Sequence, residues 1–408
     1  MKIRSITYFC NPGWPLEAKK LQAASLFLAE AKDKFEEAGY EVQTTRLATI
    51  PFPALLGAEN VSETPHLAAE LSRQLPEFGI SYAALGPALP AIPESYRVIP
   101  EAISASKNIF FSGIMADAKH GISLPAVKAC AEVITRAAPL DPNGFANLNF
   151  AALANVLPGV PFFPSAYHNG NEPAFALAIE AADEAVKAFE KAGTIEDGRQ
   201  ALITALEENS KTLAKIADIL KFKYMVKFNG IDYSLAPFPT EARSLGTAFE
   251  KMGVLKVGLH GSLAAAAILA EAIDRARFPR AGFSGLMMPV LEDSTLSERA
   301  AEGRLTVKDL LLYSSVCGTG LDTLPLPGDV TSGQIAALLL DIAAMALRLN
   351  KPLSARLMPV PGKHAGDLTS FDFGYFANSR VMALKAEPLE RALGGGETFM
   401  LAERGNKE

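Results

Sequence analysis

Short runs rich in β-branched and aromatic residues alternate along this chain with longer stretches whose apolar positions recur every three or four residues. The short runs predict strands over Ile3–Phe9, Glu41–Thr45, Ile80–Leu85, Asn108–Gly113, Ala174–Ile179, Gly230–Leu235, Leu321–Leu324, Leu353–Pro359 and Ser379–Leu384. The longer ones predict helices over Pro15–Ala38, Pro65–Gln74, Leu124–Ala137, Ala182–Lys191, Gly198–Lys221, Glu241–Met252, Ser262–Ala276, Ser294–Ala301, Val307–Ser315 and Ser332–Leu349. Such alternation over the whole length argues an α/β protein with mostly parallel strands.

Local signals sharpen some boundaries. Pro15 is placed in a first helical turn, where its missing N–H costs nothing, with Glu17 favoured by the positive helix end. Thr331 or Ser332 is expected to cap the helix that follows Gly328-Asp329. The chain reads as a single large α/β domain over 1–408, with Gly193–Asp197 the best place for a subdivision, near 193–198. The segment from Gly394 to Glu408 reads as a frayed tail.

Composition narrows the function classes. Hydrophobic residues make up 49% of 408 and charged residues 21%, a globular balance with enough chain for a large core. No apolar run reaches bilayer length, and Ile335–Leu349 carries Asp341. The start, Met1 to Phe9, lacks a secretion signal's apolar core and reads as a strand. A net charge of −6 offers no basic face for nucleic acid. Cys10, Cys130 and Cys317 have no paired spacing, so a reducing cytoplasm is the expected setting. Homodimerisation is a general expectation for an α/β protein of this size.

The chemistry lies in polar islands at the ends of apolar runs, where an α/β scaffold presents groups to a small molecule. Cys317, in Ser-Val-Cys-Gly-Thr-Gly, reads as a nucleophile or proton carrier, or as a buried residue in a tight turn. His260 precedes a helix whose positive end disfavours its protonation, so it suits proton exchange or simple capping. Asp232, with Ser234, sits in an apolar strand and should meet Arg, Lys, His or a metal. His168 and Glu172 form the densest polar cluster. With one of Asp232, Asp329 or Asp367 they have the donor types for a divalent metal, which the lack of an HExxH-type helix disfavours. Gly362-Lys363-His364-Ala365-Gly366-Asp367 lacks phosphate-loop spacing, and no Gly-x-Gly-x-x-Gly follows the first strand. Neither ATP nor a dinucleotide is therefore indicated. Ser284, between Phe283 and Gly285, is not a hydrolase elbow.

At these residues the chain resembles domain-of-unknown-function family 711, found in bacteria and archaea. The likeness rests on Asp232-Tyr-Ser-Leu-Ala-Pro-Phe-Pro239, Gly258-Leu-His-Gly261, Phe283-Ser-Gly285 and Pro289-Val-Leu-Glu-Asp293. It continues in Ser315-Val-Cys-Gly-Thr-Gly-Leu-Asp322, Pro327-Gly-Asp329, Pro361-Gly-Lys363 and Gly366-Asp367, and more faintly in Arg4–Thr7 with Arg46. The resemblance implies a barrel-like α/β fold of about ten strands with surrounding helices, similar to pyruvate formate-lyase. No Arg-Val-x-Gly-Tyr surrounds any glycine, so glycyl-radical chemistry is not expected.

These readings combine into an expected small-molecule enzyme of lyase, isomerase or hydrolase type, acting on a polar acid in a central pocket. Cys317, His260, Asp232, His168 and Glu172 would be its catalytic groups. Arg46, Ser262, Ser284, Gly285, Asp329, Lys363 and Asp367 would bind substrate. The alternative is a non-catalytic metabolite sensor using the same pocket. Neither nucleic acid nor membrane is expected as a partner.

Overall fold

A computed structural model describes residues 1–405. Its sheet contains β1 (Lys2–Phe9), β2 (Thr45–Ala48), β3 (Tyr82–Ala88), β4 (Ile109–Asp117), β5 (Gly121–Ser123), β6 (Phe150–Ala154), β7 (Ala174–Glu180), β8 (Lys227–Asp232), β9 (Gly320–Pro327), β10 (Leu353–Val360) and β11 (Thr398–Phe399). The order is β8-β7-β1-β2-β3-β4-β6-β10-β9, with β5 and β11 set to one side of β4. The central five, β1, β2, β3, β4 and β6, are mutually parallel. On either flank β7 and β10 run against that block, each paired in parallel with an outer strand, β8 or β9.

The eleven-stranded sheet is open. Segment 279–289 crosses the space between its edge strands, with parallel bridges from Ile231 to Arg280 and from Pro289 to Asp322. Along it Ile231 N donates to Pro279 O, Ala281 N to Ile231 O, and Met287 N to Ser234 O. This extended segment therefore satisfies edge groups that would otherwise need water.

Alternation along the strands separates two faces. On β1, Ile6 and Tyr8 join the main core under the helices, whereas Phe9 packs on the inner face with Ala48, Ala84 and Phe163. Helix Ala18–Glu37 buries Leu21, Ala24, Phe27, Leu28, Ala31 and Phe35, one apolar stripe at helical spacing. Each large member of that stripe contributes roughly 1.5–3 kcal/mol. The cap at Thr331 is present as a capping box with Gln334.

Departures from the sequence reading have local causes. Helix Ala18–Glu37 starts after Pro15, which lies in the preceding turn. β2 begins at Thr45, and Val42 contributes only an isolated bridge to Ile3. Ser379–Leu384 forms no strand; Arg380 has a lone bridge to Leu368. β6 was missed because Phe-Ala-Ala-Leu-Ala has helical composition; it is strand because small side chains fit a fully buried position. Helix Ile195–Tyr224 incorporates most of Gly193–Asp197, with Thr194 as its cap, and the main core includes residues on both sides of that loop. The expected fraying does not hold through residue 405. β11 pairs with β5, and Arg404 N donates to Arg348 O. Residues 406–408 of that tail lie outside the described residues. Among the described residues, no helix is long and apolar enough to cross a membrane.

Candidate functional site

Asp232, at the end of β8, is completely buried. Among the described residues no cation meets it, contrary to expectation. Its Oδ2 accepts from Phe283 N at 2.7 Å, and its Oδ1 from Ser284 N at 2.8 Å and Ser234 Oγ at 2.6 Å. The carboxylate thus pins the crossing segment to the edge of the sheet. Glycine is required here: a Cβ on Gly282 would overlap Asp232 Oδ2, and one on Gly285 would overlap the Cys317 carbonyl oxygen. Burial pushes the Asp232 carboxyl up to about 6, against the opposing pull of those hydrogen bonds. The folded protein then holds this proton more tightly than the unfolded chain, whose carboxyl titrates near 4. Its contribution to stability is complete below about pH 4 and is lost as pH rises through about 6. Urea unfolding should show wild type losing stability relative to Asp232→Asn across that window and not above pH 7. A constant difference from pH 4 to 7 would contradict the assignment.

On the inner face stands a ladder of charge that the sequence reading did not assemble. Glu292 bridges two arginines: Arg4 from β1, and Arg356 from β10 at 2.7 Å. Arg356 Nε also donates to Asp322 Oδ1 of β9 at 2.5 Å. At the other end Glu180 of β7 accepts from Gln43 at 2.6 Å and pairs with Arg243 at 3.3 Å. Burial raises the Glu292 carboxyl, but Arg4 and Arg356 outweigh it and hold the group below the usual range. Burial, reinforced by Glu292, pushes Asp322 up despite Arg356. Arg46 of β2 belongs to the same face, level with Thr7 and Tyr82 in the strand register. Its guanidinium lies 4.9 Å from the Phe163 ring centre and 5.9 Å from that of Tyr82, and Nε donates to Thr44 Oγ1. No carboxylate pairs with it among the described residues. Four guanidiniums (Arg4, Arg46, Arg243, Arg356) therefore face three carboxylates (Glu180, Glu292, Asp322), and Arg46 is the one left over. Burial and the neighbouring Arg4 push it down to about 9, still protonated at neutral pH.

The remaining sequence candidates fall into four places. His168, Glu172 and Ser284 line a cavity of about 720 Å³ with Asn229, Lys227 and Arg280, near the start of β7 and β8. His168 is buried and its Nε2 lies 3.0 Å from Asn171 O; burial lowers its pKa. Gly285 N donates weakly to Ser234 Oγ beside that wall. Cys317 ends helix Val307–Cys317, is 2% exposed, and has its thiol 3.9 Å from Thr319 Oγ1.

His260 is not beside Cys317 or Asp232. It is exposed in the turn before helix Ser262–Arg275, where Gly258 packs on Arg304 and Leu305, near the start of the helix that Cys317 ends. Eleven residues at 1.5 Å each put roughly 15 Å of helix between those ends. Ser262 is buried, accepting from Gly258 N and donating to Leu259 O, which fastens that same turn. Asp329, Lys363 and Asp367 sit together away from both groups. Asp329 meets His364 at 3.2 Å, Asp367 accepts from His364 N, and the Lys363 carbonyl accepts from Gly328 N. These residues tie down an exposed turn. The proposed metal set is accordingly not assembled. Asp232 has both oxygens engaged, Asp329 and Asp367 are elsewhere, and no three His, Cys, Asp or Glu groups among the described residues are placed to share an ion.

Comparison with known proteins places this arrangement in a family. The model of an uncharacterised family, DUF711, matches residues 1–378. The chain belongs to the DUF711 family. It is similar to a UPF0210 protein of Acetivibrio thermocellus, 29% identical over 387 residues that cover 89% of this chain and 84% of the relative. A UPF0210 protein of Oleidesulfovibrio alaskensis is 31% identical over 326 residues, covering 74% and 68%. One from Oenococcus oeni is 29% identical over 374 residues, covering 87% and 82%.

Within the DUF711 chain, the stretches that carried the resemblance serve different parts of the structure. Asp232 and Phe283-Ser-Gly285 form the latch; Glu292 and Asp322 supply the inner carboxylates; Arg4 and Arg46 supply two of the guanidiniums. The sequence signal for Glu292 and Asp322 was a charged residue inside an apolar motif, the same signal that singled out Asp232. Arg356 had that signal too, in Leu353–Pro359.

Proposed function

We propose that this DUF711 chain binds a small polar acid, through its carboxylate or phosphate group, at Arg46 inside a barrel-like α/β fold. The barrel reading is supported by strand sense: five parallel central strands face β7, β8, segment 279–289, β9 and β10, which are parallel to one another and opposed to the first set. Counted with segment 279–289, the two sets make ten strands, which supports the reading of about ten strands implied by the resemblance.

One observation carries the ligand reading. Arg46 is an inward-facing guanidinium without a carboxylate, on a face where every other arginine named has one. An unpaired charge partly withdrawn from water is costly, and a planar guanidinium fixed by Thr44 and two aromatic rings is preorganised to grip an anion. Arg46, Tyr82, Phe110 and Asp322 also keep some accessible surface although they lie on the inner face. A ligand carboxylate there would complete the charge balance.

Thermal-shift measurements with inorganic phosphate, succinate, malate and aspartate test this reading. At least one should raise the melting temperature of wild type, since ligand at 100 times its Kd adds about 2.7 kcal/mol. Arg46→Met keeps the stem and removes the charge, so affinity should fall by roughly a hundredfold, the worth of a charge-assisted hydrogen bond. Equal shifts in both proteins, or no shift with any anion, would defeat the proposal.

A further inference from the structure

The inner face contains a backbone irregularity that the anion site alone does not explain. In the β9–β10 ladder Leu321 pairs with Ala355 and Leu324 with Leu357, so Asp322 and Thr323 together oppose Arg356. This is a bulge, and bulges re-aim side chains. Here Leu321 and Leu324 both remain in the helix-facing core while Asp322 meets Arg356. Thr323 adopts φ 38°, a conformation that is costly for a β-branched residue. Its hydroxyl does not offset that cost, because Oγ1 is buried without a partner. Ser112 of β4, pairing with Ala151 on the inner side of β6, has a second fully buried hydroxyl with no partner.

Asp322 differs from the other inner carboxylates in two ways. Its side chain is 15% accessible, against 4% for Glu292 and 2% for Glu180. Among the described residues only Oδ1 is engaged, by Arg356 Nε, which leaves Oδ2 available.

We propose that Asp322 is a catalytic residue, the base that removes a proton from the carbon adjoining the carboxylate of an acid held at Arg46. The proposal rests on the anion-site reading. In the step, the C–H bond breaks, the proton passes to Asp322 Oδ2, and the electron pair moves into the carboxylate to give an enediolate. Arg46 and Arg356 offset the added negative charge. Return of a proton from Asp322 to the same carbon regenerates the acid, and exchange of the Asp322 proton with water in between replaces the original hydrogen with no other reactant. Burial and the adjacent Glu292 raise the Asp322 carboxyl, which suits a group that must both take and return a proton.

The test is deuterium incorporation, followed by proton NMR, into malate, succinate, aspartate and tartrate in D₂O, with thermal shift measured on the same samples. Wild type should label an acid that also stabilises it. Asp322→Asn should retain the thermal shift and lose labelling by about a thousandfold, the usual range for a general base. Arg46→Met should lose both. Should Asp322→Asn fail to fold, Thr323→Gly keeps the carboxylate and relaxes the bulge; labelling should then drop by about tenfold with the shift intact. An acid that binds but is not labelled by wild type, or is labelled equally by Asp322→Asn, overturns the role of Asp322 and leaves the anion site standing. If no acid binds, the anion-site reading falls and takes this one with it.

Discussion

Replacing Glu292 with alanine should lower the unfolding free energy by about 3–5 kcal/mol, as for other buried pairs broken from one side. The side chain is 4% accessible and serves two guanidiniums, Arg4 at 13% and Arg356 at 9%. Without it both remain in the interior beside Arg46, and three positive charges then face only Asp322 and the distant end of Glu180. Removing charge from the other side should relieve part of the damage. The double variant Glu292→Ala, Arg356→Met is expected to be more stable than the sum of its single changes predicts, since their effects share one interaction. Urea denaturation of the four proteins measures this coupling. A Glu292→Ala penalty below about 1 kcal/mol would show that water reaches the arginines freely and that the ladder is a surface network.

The next residue has a comparable effect for an unrelated reason. Asp293 is fully buried and accepts five hydrogen bonds. Thr295 N and Leu296 N begin helix Ser294–Ala301, Leu245 N and Gly246 N begin helix Leu245–Lys251, and Ser244 Oγ completes the set. One carboxylate thus caps two helices and holds their ends together. Asp293→Ala would orphan buried N–H groups at both, at about 1–3 kcal/mol for each group left unsatisfied and roughly 1 kcal/mol per lost cap. Four backbone N–H groups lose their acceptor, so a loss of at least about 4 kcal/mol is expected by urea unfolding. Asp293→Asn retains an acceptor oxygen and should cost less than half as much. If the two variants were equally destabilised, the negative charge rather than the hydrogen-bond geometry would be the main contribution. Glu292 and Asp293 are therefore adjacent acids with opposite orientations, one neutralising the inner face and one joining the helix layer.

Several features were legible because their cause is local. Helices Leu124–Ala137 and Ser294–Ala301 follow from three- and four-residue apolar spacing, and the Thr331 cap from its place between Gly328-Asp329 and the apolar run that follows. β1 and β7 follow from their apolar and β-branched content. The unusual placement of Asp232 in an apolar run correctly marked it as important, but not its partners. A cation was expected, and backbone N–H groups from fifty residues later fill the role instead. A donor supplied by the main chain leaves no trace in residue type, so no reading of side chains could have found it.

His260 and Cys317 show the converse. Both had suitable neighbours for chemistry in sequence, yet packing directs His260 to an exposed turn and Cys317 into the core. Arg356 also interrupts an apolar run, but what it and Arg4 pair with depends on neighbours across the sheet that the order of residues does not show. The amino-acid order by itself determined the family, the alternation of helices and strands, and the positions where charge interrupts apolar runs. Only the tertiary structure decided which of those charges meet. Strand order and register bring positions from 4 to 356 onto one face, and pairing depends on that proximity in space, where a single unmatched guanidinium becomes visible.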